Sequence, residues 1–190
     1  MENLRNTERT LVLIKPDAIR RGLVGDIVGR FERAALVIVG MEMIHAEKQQ
    51  IERHFPQTKS STIHLGQKLL LSYYRMRIDP LTFHANADPY FVGLDLQASI
   101  ARYFESGPMI RMVLSGYNVV ARVREMVGDT LPFLAAAGTI RGDYSLGETV
   151  ENTPGKACIN MVHASESVSE ACREITAWFD VSELCDFVSR

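Results

Sequence analysis

Cysteine is scarce in this chain: Cys158, Cys172 and Cys185 are odd in number and form no CxxC pair. Such a set points to neither a disulfide framework nor a zinc site. No apolar run approaches the ~20 residues that a membrane-spanning helix needs. Residues 1–10 are polar and lack the hydrophobic segment of a secretion signal, so a soluble, cytoplasmic protein is expected. Neither sign of charge dominates, since Lys+Arg 21 against Asp+Glu 23 leave a net charge of -2. Without a global positive field, a nucleic-acid coat protein is disfavoured, although a local basic cluster is not. What is present is a globular balance, 46% hydrophobic and 23% charged over 190 residues. That excludes disorder and favours one sizeable domain.

The first strong pattern is Thr10-Leu-Val-Leu-Ile14, a β-branched-rich run that reads as a buried strand ending at Lys15-Pro16-Asp17. Pro16 breaks the strand ladder there. Helical spacing follows over 26–35, with Ile27, Phe31 and Ala34 on one side. A second strand is expected over 36–44 and a short helix over 49–55. Residues 57–88 read ambiguously: Leu69, Leu70, Tyr73 and Tyr74 have helical spacing, but Pro80, His84, Asn86 and Asp88-Pro89 suggest a long connection. Helices over 94–104 and 119–126 flank a strand over 109–114. A loop covers 128–142, and a fourth strand spans 157–162. A last helix over 167–179 opens on Ser167-Val-Ser-Glu170, which has the form of a capping box. Four strands separated by helices make a two-layer α/β sandwich the economical reading, with strand order left open.

The common signatures of catalytic sites are missing. There is no Walker A loop, GxGxxG, GxSxG or HExxH, so a nucleotide-handling site needs another solution. His45, His54, His64 and His84 are scattered without metal-ligand spacing and read as packing or surface histidines. His163 differs, because it ends the last strand just before a helix start, where a sheet presents residues to a crevice. Val168, Ala171, Cys172, Ile175, Trp178 and Phe179 form the apolar stripe of the final helix, and Glu174 lies on its flank. There it either snorkels out to water or accepts a hydrogen bond from the His163 ring, leaving the other nitrogen free as a nucleophile. Lys15, Arg124 and Arg141 together suit a phosphoryl group, and Thr130 and Asn160 add neutral donors.

Four separated motifs carry a family resemblance. Glu8-Arg-Thr-Leu-Val-Leu-Ile-Lys-Pro-Asp17, Arg21-Gly-Leu-Val-Gly25, Gly138-Thr-Ile-Arg-Gly-Asp143 and Asn160-Met-Val-His-Ala-Ser-Glu-Ser167 strongly resemble nucleoside diphosphate kinase, in the family's order and over nearly the whole chain. The resemblance implies a ferredoxin-like α+β sandwich with a four-stranded antiparallel sheet covered by helices. The domain is expected over 7–180, with insertions at about 57–88 and 145–156 and a C-terminal extension over 181–190. The resemblance implies a ping-pong transfer of the terminal phosphate of a nucleoside triphosphate to a nucleoside diphosphate, through a phosphohistidine. Mapped by motif, His163 is the nucleophile, Glu174 orients its ring, and Lys15 acts in catalysis. Lys15, Arg124, Thr130 and Arg141 are the expected phosphate ligands, Asn160 a ribose and phosphate contact, and Tyr90 the ring that stacks on the base. Mg2+ is expected on the nucleotide phosphates, with no protein metal site. The implied assembly is a homo-oligomer, a hexamer or tetramer, with a dimer as a further option, and neither a membrane nor a specific nucleic acid is an expected partner.

The sequence departs from the family pattern in places. Phe55 stands where the family has a tyrosine, with Tyr73 or Tyr74 as candidate replacements for the hydroxyl. Ala157-Cys158-Ile159 replaces the usual Gly-Arg approach to the asparagine. These changes and the two insertions keep open an alternative, a nucleotide-binding or scaffolding module with little turnover. A DNA-binding regulator has only Arg20-Arg21 and nearby cations in its favour.

Overall fold

An unbroken apolar run must be buried on both sides, because successive strand residues point to opposite faces. The computed structural model, which describes residues 7–144 and 159–186, places residues 11–14 in strand β1 (Thr7–Ile14) with all four side chains fully buried. Val12 and Ile14 join one apolar cluster with Phe31, Met112, Leu114 and Val123. Leu11 and Leu13 join another with Tyr73, Phe104, Val113 and Trp178. Helices therefore cover both faces of the sheet, and the two-layer reading is corrected to three layers.

In chain order, β1 is followed by α1 (Pro16–Arg20), α2 (Val24–Arg33), β2 (Val37–Ile44), α3 (Lys48–His54), α4 (Lys59–Met76) and α5 (Pro89–Phe104). Then come β3 (Met109–Tyr117), α6 (Val119–Val127), α7 (Ile140–Tyr144), β4 (Val162–Ala164) and α8 (Val168–Trp178). The strands form one sheet in the order β2-β3-β1-β4, every pair antiparallel. This is the ferredoxin-like α+β architecture. The α2 and α6 side chains fill the first cluster, and those of α3, α4 and α5 the second.

Two sequence expectations change. Residues 57–88 are not mainly a connection, since α4 runs for 18 residues and is capped by Thr58, whose side chain accepts from the Ser61 N–H. Its buried positions are Thr62, Gly66, Leu69 and Tyr73, a helical stripe in which two members are not apolar side chains. Gly66 and Gly93 let the backbones of α4 and α5 touch: a Cβ on Gly66 would lie 1.9 Å from the Pro89 carbonyl oxygen, and one on Gly93 2.0 Å from that of Thr62. α5 accordingly starts at Pro89, capped by Asp88, rather than at residue 94.

The fourth strand, expected over 157–162, is Val162–Ala164. Residues 145–158, including the second expected insertion, lie outside the described residues. Just before the strand, the backbone is engaged elsewhere. Lys15 donates its N–H to the Met161 carbonyl at 2.8 Å, Met161 donates to Asp17 Oδ2 at 3.0 Å, and Met161 holds a left-handed φ of 65°. His163 consequently sits mid-strand, opposite Leu13 of β1. The expected loop at 128–142 contains a short 3-10 turn at Pro132–Leu134 and the start of α7.

Candidate active site

Lys15 is the first residue past β1, the point at which Pro16 turns the chain into α1. Its buried ammonium donates to Asn160 Oδ1 at 2.5 Å, and Asn160 Nδ2 donates to the Thr130 carbonyl at 2.9 Å. Arg141, projecting from α7, is also buried. It donates to the carbonyls of Gly128 (2.9 Å), Asn160 (3.2 Å) and Val162 (2.6 Å), pinning the turn after α6 against β4. Burial, and then the nearby Arg124, push its pKa down to about 10, so it is still a cation at neutral pH. Arg124 itself is half-exposed on α6, 4.0 Å from Glu166, and Glu166 also pairs closely with Lys68 of α4.

The His163 ring is held by α8. Its Nε2 lies 3.0 Å from Glu174 Oε2, and Ser165 donates its hydroxyl to the same oxygen at 2.7 Å. Glu174 is buried, so the snorkelling alternative is set aside. With its carboxylate accepting at Nε2, the proton of the neutral ring sits there and the lone pair on Nδ1 is available. Ser165 follows His163 by two residues on the same strand path, a spacing that puts both on one face and was readable as such. His54, expected to be a packing or surface histidine, lies with its ring 4.4 Å from that of His163.

Lys15, Arg124, Thr130, Arg141, Asn160, His163 and Glu174 all line one cavity of about 530 Å³. The side wall contributed by α4 presents Ser60, Ser61, His64, Lys68 and Ser72, which the sequence reading did not single out. Side chains drawn from opposite ends of the chain thus gather the His163 imidazole, the buried Glu174 carboxylate and the cations Lys15, Arg124 and Arg141 around one space, with Lys68 and Arg173 also on its wall. A profile described as nucleoside diphosphate kinase matches residues 8–70 and 89–184. A nucleoside diphosphate kinase from Pyrobaculum aerophilum is 44% identical over 180 residues, covering 94% of this chain and 98% of that protein. One from Staphylothermus marinus is 37% identical, covering 96% and 99%. The crystal structure of an NDP kinase from Pyrobaculum aerophilum superposes with a TM-score of 0.85 at 42% identity, over 95% of this chain and all of that one (100%). A Borrelia burgdorferi nucleoside-diphosphate kinase, solved as a transition-state mimic with vanadate and ADP, gives 0.72 at 29% identity over 96% and 93%.

The chain belongs to the nucleoside diphosphate kinase family.

Members of this family are phosphotransferases, and seven of the eight site residues expected from the resemblance meet in the cavity. Tyr90 is the exception. It is half-buried at the start of α5, under the Lys59 ammonium at 5.9 Å, and is not among the cavity-lining residues. Nor do Tyr73 and Tyr74 replace the hydroxyl missing at Phe55. Tyr73 bonds His84 at 2.9 Å, with burial pushing its phenol up to about 12, and Tyr74 is 81% exposed. The phenol beside Lys15 is that of Tyr103, whose ring lies 5.9 Å from the ammonium and whose hydroxyl bonds Asp17.

Among the described residues, His54, His163 and Glu174 bring three potential metal-ligand atoms within 4.8 Å of one another. Two imidazoles are a poor match for Mg2+, a hard cation that prefers oxygen ligands. No helix among the described residues is long and apolar enough to cross a membrane.

Proposed function

We propose that the chain transfers the terminal phosphoryl group of a nucleoside triphosphate to a nucleoside diphosphate through a phosphohistidine at His163. The observation that carries this reading is the His163–Glu174 hydrogen bond at 3.0 Å, inside a cavity that also holds Lys15 and Arg124. Glu174 fixes the tautomer, so Nδ1 attacks the γ-phosphorus. The bond from phosphorus to the bridging oxygen breaks, its electron pair leaves on the nucleoside diphosphate, and the Nε2 proton stays facing the carboxylate. The ring gains positive charge, which Glu174 stabilises. A second nucleoside diphosphate reverses the step. One phosphoanhydride replaces another, so little driving force is required.

Lys15 and Arg124 neutralise the transferred group, with Asn160 and Thr130 as neutral donors. Arg141 holds the phosphate-facing turn through three carbonyls and presents its remaining N–H groups and its charge to the cavity. The cavity also fits Mg2+ carried by the nucleotide: Glu174 is engaged by His163 and Ser165 and Glu166 by Lys68, which leaves Glu170 as the lining carboxylate that a hydrated ion would meet. When bound, that ion neutralises phosphate charge. On the same reading, residues 7–180 are one catalytic domain elaborated over 57–88 and 145–156 and extended over 181–190, the protein is cytoplasmic, and it works as a homo-oligomer. The resemblance assigns base stacking to Tyr90, which opens α5 outside the cavity lining.

Incubation with γ-labelled ATP tests the reading. An acid-labile, base-stable protein phosphate is expected, discharged by a nucleoside diphosphate and lost in His163→Ala. A wild-type chain that takes up no label would overturn it.

A further inference from the structure

His54 is the buried titratable group nearest to the reacting histidine and has no role in the step described so far. It ends α3, is 1% exposed, and meets the His163 ring edge-on. Its Nδ1 accepts a hydrogen bond from the Trp178 indole N–H at 3.1 Å. An indole nitrogen only donates, so Nδ1 must carry a lone pair. Burial, followed by the neighbouring His163, holds the ring well below its ordinary pKa. The ring is therefore neutral and its one proton sits on Nε2. That N–H has no hydrogen-bond acceptor within reach, and it faces Glu174 Oε1 at 3.9 Å. The same tautomer removes His54 from any metal site formed with His163 and Glu174, since neither of its nitrogens then offers a free lone pair.

We infer that His54 is a positioning residue for phosphoryl transfer: its Nε2–H backs the Oε1 side of Glu174 while His163 and Ser165 hold Oε2. The inference rests on the reaction proposed above. As phosphorus bonds to Nδ1 of His163, positive charge grows on that ring and the Glu174 carboxylate is drawn to it. Catalytic hydrogen bonds that are long beforehand tighten as charge develops, and the His54 N–H is placed to close on Oε1. It stops the carboxylate from rotating, so the His163 ring keeps its aim. His54 neither gains nor loses a proton, because Trp178 occupies the one lone pair that would take it. Arg173 also faces Oε1, at 3.7 Å, but is 41% exposed and additionally bonds the His54 carbonyl at 3.0 Å. Its charge is hydrated, whereas the His54 dipole acts in a dry environment.

Three variants and one spectrum test this. His54→Phe keeps an aromatic of similar size but removes both hydrogen bonds. Single-turnover phosphorylation of His163 by ATP is expected to slow about tenfold, with the ATP concentration at half-saturation unchanged. His54→Gln can still accept from Trp178 and donate to Glu174, and should recover most of the rate. Trp178→Phe frees the tautomer and should slow the reaction several-fold. In wild type, 15N NMR of the imidazoles should report an unprotonated Nδ1 and a protonated Nε2 for His54, whatever the variants' stability. A protonated Nδ1 would overturn the inference, as would a wild-type rate in His54→Phe. So would equal losses in the Phe and Gln variants accompanied by weaker ATP binding. Absence of wild-type phosphorylation would instead strike at the reaction itself, which keeps the two failures apart.

Discussion

A carboxylate taken out of water stays ionised only where donors and positive groups replace its hydration. Burial alone would raise the pKa of Glu174, but the His163 ring, His54 and the Ser165 hydroxyl outweigh it and hold the group at about 2, against an ordinary 4.5. A folded-state value below the unfolded one stabilises the fold fully above pH 4.5 and loses that contribution as the pH falls towards 2. The stability gap between wild type and Glu174→Gln, measured by denaturant melts, should therefore be largest near neutrality and shrink on acidification through that window. A gap independent of pH would contradict the assignment. The same variant misaims the ring and should lower the phosphorylation rate by roughly a hundredfold. His163 and Glu174 were legible because one lies on the last strand just ahead of a helix start and the other flanks an apolar stripe. His54 was not, because nothing in a sequence says that a histidine at a helix end accepts from an indole 124 residues away.

At the scale of elements, α4 supplies a polar wall of the cavity. Its packing on α5 depends on Gly66 and Gly93, where backbones approach too closely for any side chain. In a helix interior, Gly→Ala ordinarily stabilises by about 1 kcal/mol. Gly66→Ala is expected to do the reverse, destabilising by roughly 1–3 kcal/mol through overpacking against the Pro89 carbonyl, and to raise amide exchange along α4. Unchanged or increased stability on melting would show that the helices do not pack this way. The sequence concealed α4 because a glycine and a threonine occupy its buried stripe, and its cavity-facing side is polar: Ser60, His64 and Lys68 blunt the amphipathic contrast. β4 was shifted for a related reason. Asn160 and Met161 look strand-like, but their backbone groups serve Lys15, Asp17 and Arg141 instead of the ladder.

Across the whole molecule, three stretches far apart in sequence converge where β1 ends and β4 begins: Lys15, the turn after α6 with Arg141, and the Asn160–His163–Glu174 group. β1, buried on both faces, fixes that meeting point, so the apolar run in which it was first recognised also determines where phosphate charge is met. Lys15 and Asn160 form one rigid corner, and His163 faces it from the neighbouring strand. Positioning by packed elements, and not by mobile loops, is what lets a weak nucleophile hold a phosphoryl group. The most direct test is to phosphorylate the protein with a nucleoside triphosphate and determine by NMR which ring nitrogen of His163 carries phosphorus. Phosphorus on Nδ1 is expected, since Glu174 holds Nε2; phosphorus on Nε2, or on a different residue, would contradict the arrangement at its centre.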